Sequence, residues 1–578
     1  MIFSGLLHFG EAVHKTSSLF SIMESCTKKA PETLKKSHFT LLYHKLSPEN
    51  NFDEVQENAF SILIGRLFDK GKDIDVLSNI GILKNAWGKY IYVNYDEKND
   101  QFDVVLDTVG GIPFFYHSLP NGDVLFSSEI EFILKFLEQK PDYNWPYLNS
   151  YLLYGNSSST QTPFKNISEL PSGCSLKVSR NEIKTAPFWD PLSTYRPPLL
   201  NSNTVNVLQN AMKLWIEPYE NICVSLSGGL DSSALMYCLK DIKKEDQKLT
   251  ALNYFHSSVN SSNELKHARM VCEETGVRLM ELDATHFLPF DRPTHKRLLK
   301  PNKPFPGLMY LRWQEALSEN IPAQGSCIFL SGHGSDQIFM RPPSKKSYSD
   351  YLIEKGLKGS QNILDNLSRY YRVPAFSILK ENANSLISYF FKGLKNQTKN
   401  ILPPWMSQEI IENSSPVYKH PIYDTLPCRM LPGKYDQISA LLETIGSTHM
   451  EREVLNSIHY PFLFEPVIEF ALSYPSYDLF DKGYDRYPLR QSVCKAFNTQ
   501  MVWRRDKGQV TGLLQLGVKR NLDYVLNTCL EGVLVKKGLL DKNEFHKTIM
   551  QISNGDSHDL FSFMYVISME MFLKSWEN

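Results

Sequence analysis

The stretch Ser225-Leu226-Ser227-Gly228-Gly229-Leu230-Asp231-Ser232-Ser233 decides the fold of the second half of this 578-residue chain. An apolar run (222–224) precedes it and a helix-forming run (234–237) follows it, so the pattern predicts a strand, a turn and a helix start. Two glycines let backbone N–H groups approach an anion, serine hydroxyls add donors, and the helix N-terminus adds partial positive charge. The alternative is a polar turn before an ordinary helix, but the agreement of loop, carboxylate and flanking elements favours a pyrophosphate-binding loop.

A second glycine-rich turn, Leu330-Ser331-Gly332-His333-Gly334-Ser335-Asp336-Gln337, follows another apolar run. Strand candidates at 249–255, 277–283 and 327–331 alternate with amphipathic helical stretches, the pattern of a parallel α/β sheet. Such sheets bind ligands at the carboxyl ends of their strands. We therefore expect Asp231 and Asp336 to bracket one Mg²⁺–triphosphate.

Bulk properties exclude several classes of protein. The net charge of −1 gives no drive toward nucleic acid or anionic membrane, and no apolar run approaches the length of a membrane helix. The nine cysteines, from Cys26 to Cys529, are odd in number and form no CxxC pair, which favours reduced thiols in a cytoplasmic protein. The apolar start, Met1 to Leu7, is too short for a signal peptide and predicts a strand.

The chain divides into two predicted domains. Residues 1–195 are rich in short apolar runs typical of strands, such as 90–93 and 102–106, with helical segments such as Glu57 to Phe68 between them. A proline-bearing linker (195–202) separates them from residues 205–578. Residues 341–440 interrupt the second domain as a mostly helical, locally basic insertion, either a solvated face or a substrate-docking one.

The motifs together resemble one family. The SGGxDS loop is similar to that of ATP pyrophosphatases, and its combination with the second loop resembles the synthetase domain of the asparagine synthetase family. Further segments match in order, both in the C-terminal half and in the N-terminal half: 459–463 with 467–471, 484–490, 504–508, 107–116, 126–129 and 170–173. The resemblance thus extends over nearly the whole chain.

The resemblance implies the fold class. It implies an α+β N-terminal domain, a degenerate Ntn-hydrolase sandwich of the class II glutamine amidotransferase type. An α/β parallel-sheet synthetase domain of the adenine nucleotide α-hydrolase type follows. The family's glutaminase has a cysteine directly after the initiator methionine. Because this chain begins Met1-Ile2 and its nearest cysteine is Cys26, we expect no ammonia release from glutamine.

Without ammonia from glutamine, the nitrogen must come from an amine already on the substrate, which points to the ring-closing members of the family. The GHG[GS]D form of the second loop resembles that of lasso-peptide cyclases. The resemblance then implies an AMP-forming carbon–nitrogen ligase that uses ATP and Mg²⁺. It would adenylate an Asp or Glu side chain of a precursor peptide and form a macrolactam with the peptide's N-terminal amine. A β-lactam synthetase, a degenerate nucleotide- or peptide-binding scaffold and an ammonia-dependent asparagine synthetase remain as alternatives.

The resemblance also implies the site residues. Asp231 and Asp336 would hold the metal, and Lys507 would stabilise the oxyanion that forms on amine attack. Alternatively, Lys507 is an ordinary exposed lysine without a role in the reaction. The predicted nucleotide-binding set comprises Ser225, Ser227, Gly228, Gly229, Asp231, Ser232, Gly332 and Arg486.

Two positions form a predicted base dyad. His333 stands where β-lactam synthetases have a tyrosine, and Glu443, eighteen residues before Pro461, stands at the partner carboxylate. A carboxylate beside imidazole would orient it and raise its basicity. Alternatively, His333 only donates a hydrogen bond and Glu443 is a solvated or capping residue. Gln337 replaces an acid common in the family, which leaves fewer carboxylates for metal.

The lasso-peptide cyclases that this chain resembles work together with other proteins of one biosynthetic pathway. The resemblance implies a leader-recognition protein and a leader peptidase as partners, the second supplying the free amine. We expect no nucleic-acid partner and no membrane anchor.

Overall fold

The structure is a computed structural model. It describes residues 1–9, 15–45, 55–69, 80–155, 159–193, 203–257, 259, 264–295, 299–320, 325–392, 402–414, 419–446, 458–505, 508 and 511–577. The predicted linker, 195–202, lies outside the described residues. The division into domains therefore stays a prediction.

The N-terminal half is a sandwich of two antiparallel sheets. The described strands are β1 (Ile2–Leu7), β2 (Glu32–Lys35), β3 (Phe39–His44), β4 (Val55–Glu57), β5 (Ser61–Asp69), β6 (Ala86–Asp96), β7 (Gln101–Leu106), β8 (Phe115–Ser118), β9 (Val124–Ser127), β10 (Ser168–Glu169), β11 (Cys174–Val178) and β12 (Ile183–Pro187). One sheet has the order β10-β8-β9-β1-β3-β2 and the other β12-β11-β7-β6-β5-β4. Apolar side chains from both sheets, among them Phe3, Phe126, Ile91 and Val104, form one buried core between them. The predicted strands at the start of the chain, at 90–93 and at 102–106 are confirmed.

The helix predicted from Glu57 to Phe68 is wrong. Strand β5 occupies most of this stretch and pairs antiparallel with β6 along its whole length, from Ser61 opposite Asn94 to Asp69 opposite Ala86. Ile62 and Ile64 face the sandwich core, while Leu63 packs into a second cluster with Tyr90 and Tyr92. Because both faces of β5 are buried, its sequence lacks the alternation that marks a half-exposed strand.

The second half contains a parallel sheet. Its described strands are β13 (Asn221–Ser225), β14 (Lys248–Phe255), β15 (Arg278–Asp283), β16 (Cys327–Leu330) and β17 (Ile458–His459), in the order β15-β14-β13-β16-β17. The predicted strands at 249–255, 277–283 and 327–331 are therefore confirmed. β13 and β16 are direct neighbours, with Val224 opposite Leu330. The two glycine-rich turns consequently leave the same edge of the sheet side by side.

Helices cover both halves. The described α-helices are α1 (Lys15–Thr27), α2 (Ile130–Phe136), α3 (Trp145–Tyr154), α4 (Thr204–Ile216), α5 (Leu230–Ile242), α6 (Leu265–Thr275), α7 (Leu311–Asn320), α8 (Ser335–Ile338), α9 (Ser347–Lys355), α10 (Ser360–Tyr371), α11 (Ala375–Ile387), α12 (Glu409–Glu412), α13 (Pro432–Ile445), α14 (Glu465–Ser473), α15 (Tyr487–Phe497), α16 (Thr511–Arg520), α17 (Leu522–Leu530), α18 (Val533–Lys536), α19 (Lys542–Ser553) and α20 (Leu560–Glu577). None of the helices in the described part of the chain has both the length and the apolar character needed to cross a bilayer.

The two halves share buried cores. Phe68 and Trp87 of the sandwich pack with Trp215 and Phe464 of the second half, and the ring centroids of Trp87 and Trp215 lie 6.4 Å apart. A buried ion pair, Lys303 with Glu169, also joins the halves. The second half thus packs against the sandwich through α4 and the segment that precedes α14.

Candidate active site

The first glycine-rich turn joins β13 to α5 and needs glycine at one position. Gly228 has a φ of +70°, and a Cβ there would lie 2.6 Å from the Cβ of His267. Gly229 is the N-cap of α5 and has extended backbone. Its N–H donates to Ser227 Oγ over 3.3 Å, and Ser227 Oγ lies 3.2 Å from Ser232 Oγ. The turn therefore presents hydroxyls and backbone N–H groups at a helix N-terminus, as an anion site requires.

The second turn lies against the first. A Cβ at Gly332 would lie 3.0 Å from both Asp231 Cβ and Ser232 N, so a larger residue would push the two turns slightly apart. The Ser331 N–H donates to the carbonyl of His459 over 3.0 Å, which fixes the turn to β17. The sequence prediction that the two turns meet agrees with this geometry.

Asp231 and Asp336 meet at a single cation. Arg486 Nη1 lies 2.7 Å from each carboxylate oxygen of Asp231 and 2.5 Å from Asp336 Oδ1. The arginine is 2 % exposed, and its Nε donates to Asp485 over 3.1 Å. Burial acts to lower the pKa of Arg486, but Asp231, Asp336 and Asp485 outweigh it and raise that pKa above its ordinary value. The guanidinium is therefore a fixed positive charge between two acidic side chains.

Further arginines complete the charge network. Arg490 donates from Nη2 to Asp485 over 3.0 Å and from Nε to the Asp485 carbonyl over 2.8 Å. Burial acts to raise the pKa of Asp485, but Arg486 and Arg490 overcome it and hold that pKa below its usual range. Arg504 forms a bidentate pair with Glu264, both distances 2.8 Å, and donates to the carbonyl of Gly228 over 3.1 Å.

Sequence reasoning assigned no role to Asp485, Arg490 or Glu264. The spacing of Arg486 and Arg490, four residues apart at the start of α15, was the available indication that both face one side.

The remaining predicted residues are less tightly joined. Ser225 ends β13 and is half-buried, in line with the loop. The exposed ring of His333 packs edge-on against Tyr460, with centroids 5.3 Å apart. Glu443, on α13, lines a cavity of about 540 Å³ that also contains Asp336. Lys507 lies outside the described residues. The dyad and the lysine stay predictions.

Comparison with known proteins agrees with this geometry. Residues 205–352, which span both glycine-rich turns, match the asparagine synthase family. The chain carries an asparagine synthase domain. Residues 76–189, ahead of it, match the glutamine amidotransferase domain family.

Two curated proteins are similar to the chain. The Microcin J25-processing protein McjC of Escherichia coli is 22% identical over 495 residues, which is 83% of this chain and 86% of McjC. Asparagine synthetase [glutamine-hydrolyzing] 3 of Bacillus subtilis (strain 168) is 28% identical over 181 residues, 30% of this chain and 29% of that protein. The resemblance to the asparagine synthetase family is confirmed, and so is the enzyme class, an ATP-dependent amide-forming ligase.

Two solved structures align only loosely. The U34-tRNA thiolase NcsA of Methanococcus maripaludis gives a TM-score of 0.20 at 16% identity, with 42% of this chain and 78% of that chain covered. The glutamine phosphoribosylpyrophosphate amidotransferase of B. subtilis gives 0.21 at 10% identity, with 62% and 79% covered.

Proposed function

We propose that this protein adenylates an Asp or Glu side-chain carboxylate of a precursor peptide and closes a macrolactam with the peptide's N-terminal amine. The products would be a lasso-type peptide, AMP and pyrophosphate. One observation carries the proposal: Asp231 and Asp336, from turns at the ends of neighbouring strands, converge on one point beside an anion-binding turn. Support for a peptide substrate comes from the match to McjC along 83% of the chain.

The residues present fit Mg²⁺. Both carboxylates bring oxygen ligands, the kind Mg²⁺ prefers, to a single point. Asp231 and Asp336 would hold the ion, which when bound neutralises charge on the pyrophosphate leaving group. Each carboxylate offers about four lone-pair sites, so both can contact Arg486 and a metal. Gln337 stands where the family commonly has an acid, and the buried Arg486 supplies a further positive charge beside the two proposed metal ligands.

The chain's own residues would bind ATP as follows. The backbone of Gly228 and Gly229 and the hydroxyls of Ser225, Ser227 and Ser232 bind phosphate oxygens, and Gly332 keeps the second turn close. The peptide carboxylate attacks the α-phosphorus, and the bond to the β-phosphate's bridging oxygen breaks. The peptide amine then attacks the acyl carbon, AMP leaves, and His333 with Glu443 takes the amine proton. Lys507 would stabilise the oxyanion formed in that attack.

A cavity beside Asp336 is suited to the acceptor peptide. It measures about 540 Å³ and extends from Asp336 to Glu443, with Arg341, Lys345 and Lys346 along its wall. Lys345 and Lys346 are paired with Glu381 and Asp436 of the same wall, so Arg341 is the cation that would orient a carboxylate near the metal aspartate. A carboxylate bound in this cavity would lie between the nucleotide turn and the proposed base.

The N-terminal half would keep a glutaminase fold without supplying nitrogen. Strand β1, Ile2–Leu7, contains no cysteine, and Cys26 is on α1, where Lys135 Nζ lies 3.0 Å from its sulfur. We propose that residues 1–195 form this degenerate Ntn-hydrolase domain and residues 205–578 the synthetase domain, with residues 341–440 as its helical insertion. The enzyme would work in the cytoplasm with a leader-recognition protein and a leader peptidase.

The test is to incubate the protein with ATP, Mg²⁺ and a leader-free linear precursor and to follow peptide mass and AMP. Loss of one water with AMP formation supports macrolactam formation. AMP formed only with a small β-amino acid would indicate a β-lactam synthetase instead. AMP formed only with aspartate and ammonium would indicate an asparagine synthetase, and no AMP with any substrate would leave a nucleotide-binding scaffold.

A further inference from the structure

A cavity rich in arginine adjoins the first glycine-rich turn. We call it the arginine cavity, and it measures about 300 Å³. Gly229 and Leu230, at the start of α5, form its inner end. Arginine supplies seven of the thirteen lining residues, which gives the cavity a strongly positive character.

The inner arginines have carboxylate partners. Arg486 and Arg490 are 2 % and 5 % exposed and share Asp485. Arg504 is paired with Glu264. Their charge is therefore largely balanced within the protein, and their role is to form a fixed wall.

The rim arginines are different. Arg369, Arg372 and Arg505 are exposed, and none of them forms an ion pair with a carboxylate within the described part of the chain. Arg505 donates to the carbonyl of Lys482 over 3.1 Å and stacks on Tyr484, its guanidinium carbon 4.3 Å from the ring centroid. Three positive charges around one small cavity repel each other, and a polyanion would relieve that repulsion.

The rim arginines on α10 are held in place. The hydroxyl of Tyr370 donates to Asp485 Oδ2 over 2.9 Å, which ties the end of α10 to the buried charge network. Arg372 then ends the helix in the left-handed conformation, with a φ of 55°. Both α10 arginines come from the predicted insertion, so the segment that interrupts the synthetase pattern reaches the nucleotide turn.

We propose that Arg369, Arg372 and Arg505 bind the β- and γ-phosphates of ATP and retain pyrophosphate after adenylation. The inference rests on the proposed function for the source of the pyrophosphate. When the peptide carboxylate bonds to the α-phosphorus, the bond between the α-phosphorus and the bridging oxygen breaks and the pyrophosphate takes the electron pair. Planar guanidinium groups offer the paired N–H donors that phosphate oxygens accept. The leaving diphosphate would then lie in the cavity between Gly229 of the first glycine-rich turn and the rim arginines.

The test titrates the full chain by calorimetry, in separate experiments without peptide, with inorganic pyrophosphate, orthophosphate, ATP and AMP. Wild-type protein is compared with the double variant R369Q/R372Q and with R429Q. Arg429 is a matched control because it is exposed and does not line the arginine cavity. We expect the double variant to bind pyrophosphate and ATP at least about tenfold more weakly, since charge-assisted hydrogen bonds are lost. Affinity for AMP, which lacks the β- and γ-phosphates, should stay unchanged.

Several results would overturn the proposal. Equal affinity of the double variant and the wild type for pyrophosphate would contradict the proposal. So would AMP binding that is weakened in the double variant as much as ATP binding. Orthophosphate bound as tightly as pyrophosphate, and lost in the same variant, would show an unspecific anion site. Failure of the proposed function is separate: a wild type that binds pyrophosphate and ATP but cyclises no peptide contradicts that function and leaves the diphosphate site intact.

Discussion

Arg486 Nη1 lies 2.7 Å from both carboxylate oxygens of Asp231. The same nitrogen contacts Asp336, so one buried cation balances the two side chains proposed to hold Mg²⁺. Replacement of Arg486 by methionine would leave buried carboxylates uncompensated. We expect R486M to lose about 3–5 kcal/mol of stability, measured as a lower urea midpoint, while R486K keeps a larger part of it. Midpoints of R486M and wild type that coincide would show that Arg486 is not the balancing charge.

Asp231 should be needed for the chemistry. D231N keeps the shape of the side chain and removes its charge, so we expect AMP formation to fall by at least about 100-fold, the cost of a lost charge contact in the transition state. The matched control is D241N, because Asp241 lies on the same helix, exposed, and pairs only with Gln209 among the described residues. Similar losses of activity in D231N and D241N would show that Asp231 has no specific role in the reaction.

Glu443 should make macrolactam formation depend on pH. Desolvation by the cavity walls, with a smaller contribution from Asp436, raises the pKa of Glu443. A raised pKa keeps the carboxyl protonated to higher pH. As the pH is lowered, cyclisation should therefore decline at a higher pH than it would with a glutamate of ordinary pKa. E443Q should lower macrolactam formation while AMP formation continues, and H333N should do the same. If both products fall in parallel in these variants, the dyad serves adenylation or folding instead of amine attack.

The buried pair of Lys303 and Glu169 should stabilise the contact between the two halves. Burial raises the pKa of Glu169 and Lys303 acts against that rise. K303M leaves the carboxylate unpaired, which we expect to cost about 3–5 kcal/mol at neutral pH. The deficit should shrink on acidification, because burial favours the protonated carboxyl, and grow as the pH rises above 4.5, the ordinary value for Glu.

Urea midpoints at pH 5 and pH 8 test this directly. The double variant K303M/E169L removes both charges and should recover most of the loss. A deficit that does not change with pH would point to lost packing of the lysine stem.

The sequence predicted the site best where local pattern and structure coincide. The run 222–224 followed by two glycines permits little besides a strand and a tight turn, and Gly228 has the positive φ that the turn requires. Strand β5 shows the opposite case. Ile62, Leu63 and Ile64 are all buried, the two isoleucines in the sandwich core and Leu63 in the cluster on the other face of the sheet. The local pattern therefore carries no alternation to distinguish strand from helix.

The arginine network was beyond sequence reasoning for a different reason. Asp231, Asp336 and Arg486 come from three distant segments, and only their packing brings them to one point. Motif order identified each of them separately. Arg486 was predicted as a nucleotide-binding residue, whereas the structure shows it contacting three aspartates at once.

The most direct test of macrolactam formation through a side-chain adenylate follows a labelled oxygen atom. A linear precursor labelled with ¹⁸O in the side-chain carboxylate is incubated with the enzyme, ATP and Mg²⁺, and both products are weighed by mass spectrometry. Adenylation of that carboxylate predicts one ¹⁸O in AMP and a peptide lighter by one labelled water. AMP without label, or labelled AMP beside a peptide of unchanged connectivity, would contradict macrolactam formation through a side-chain adenylate.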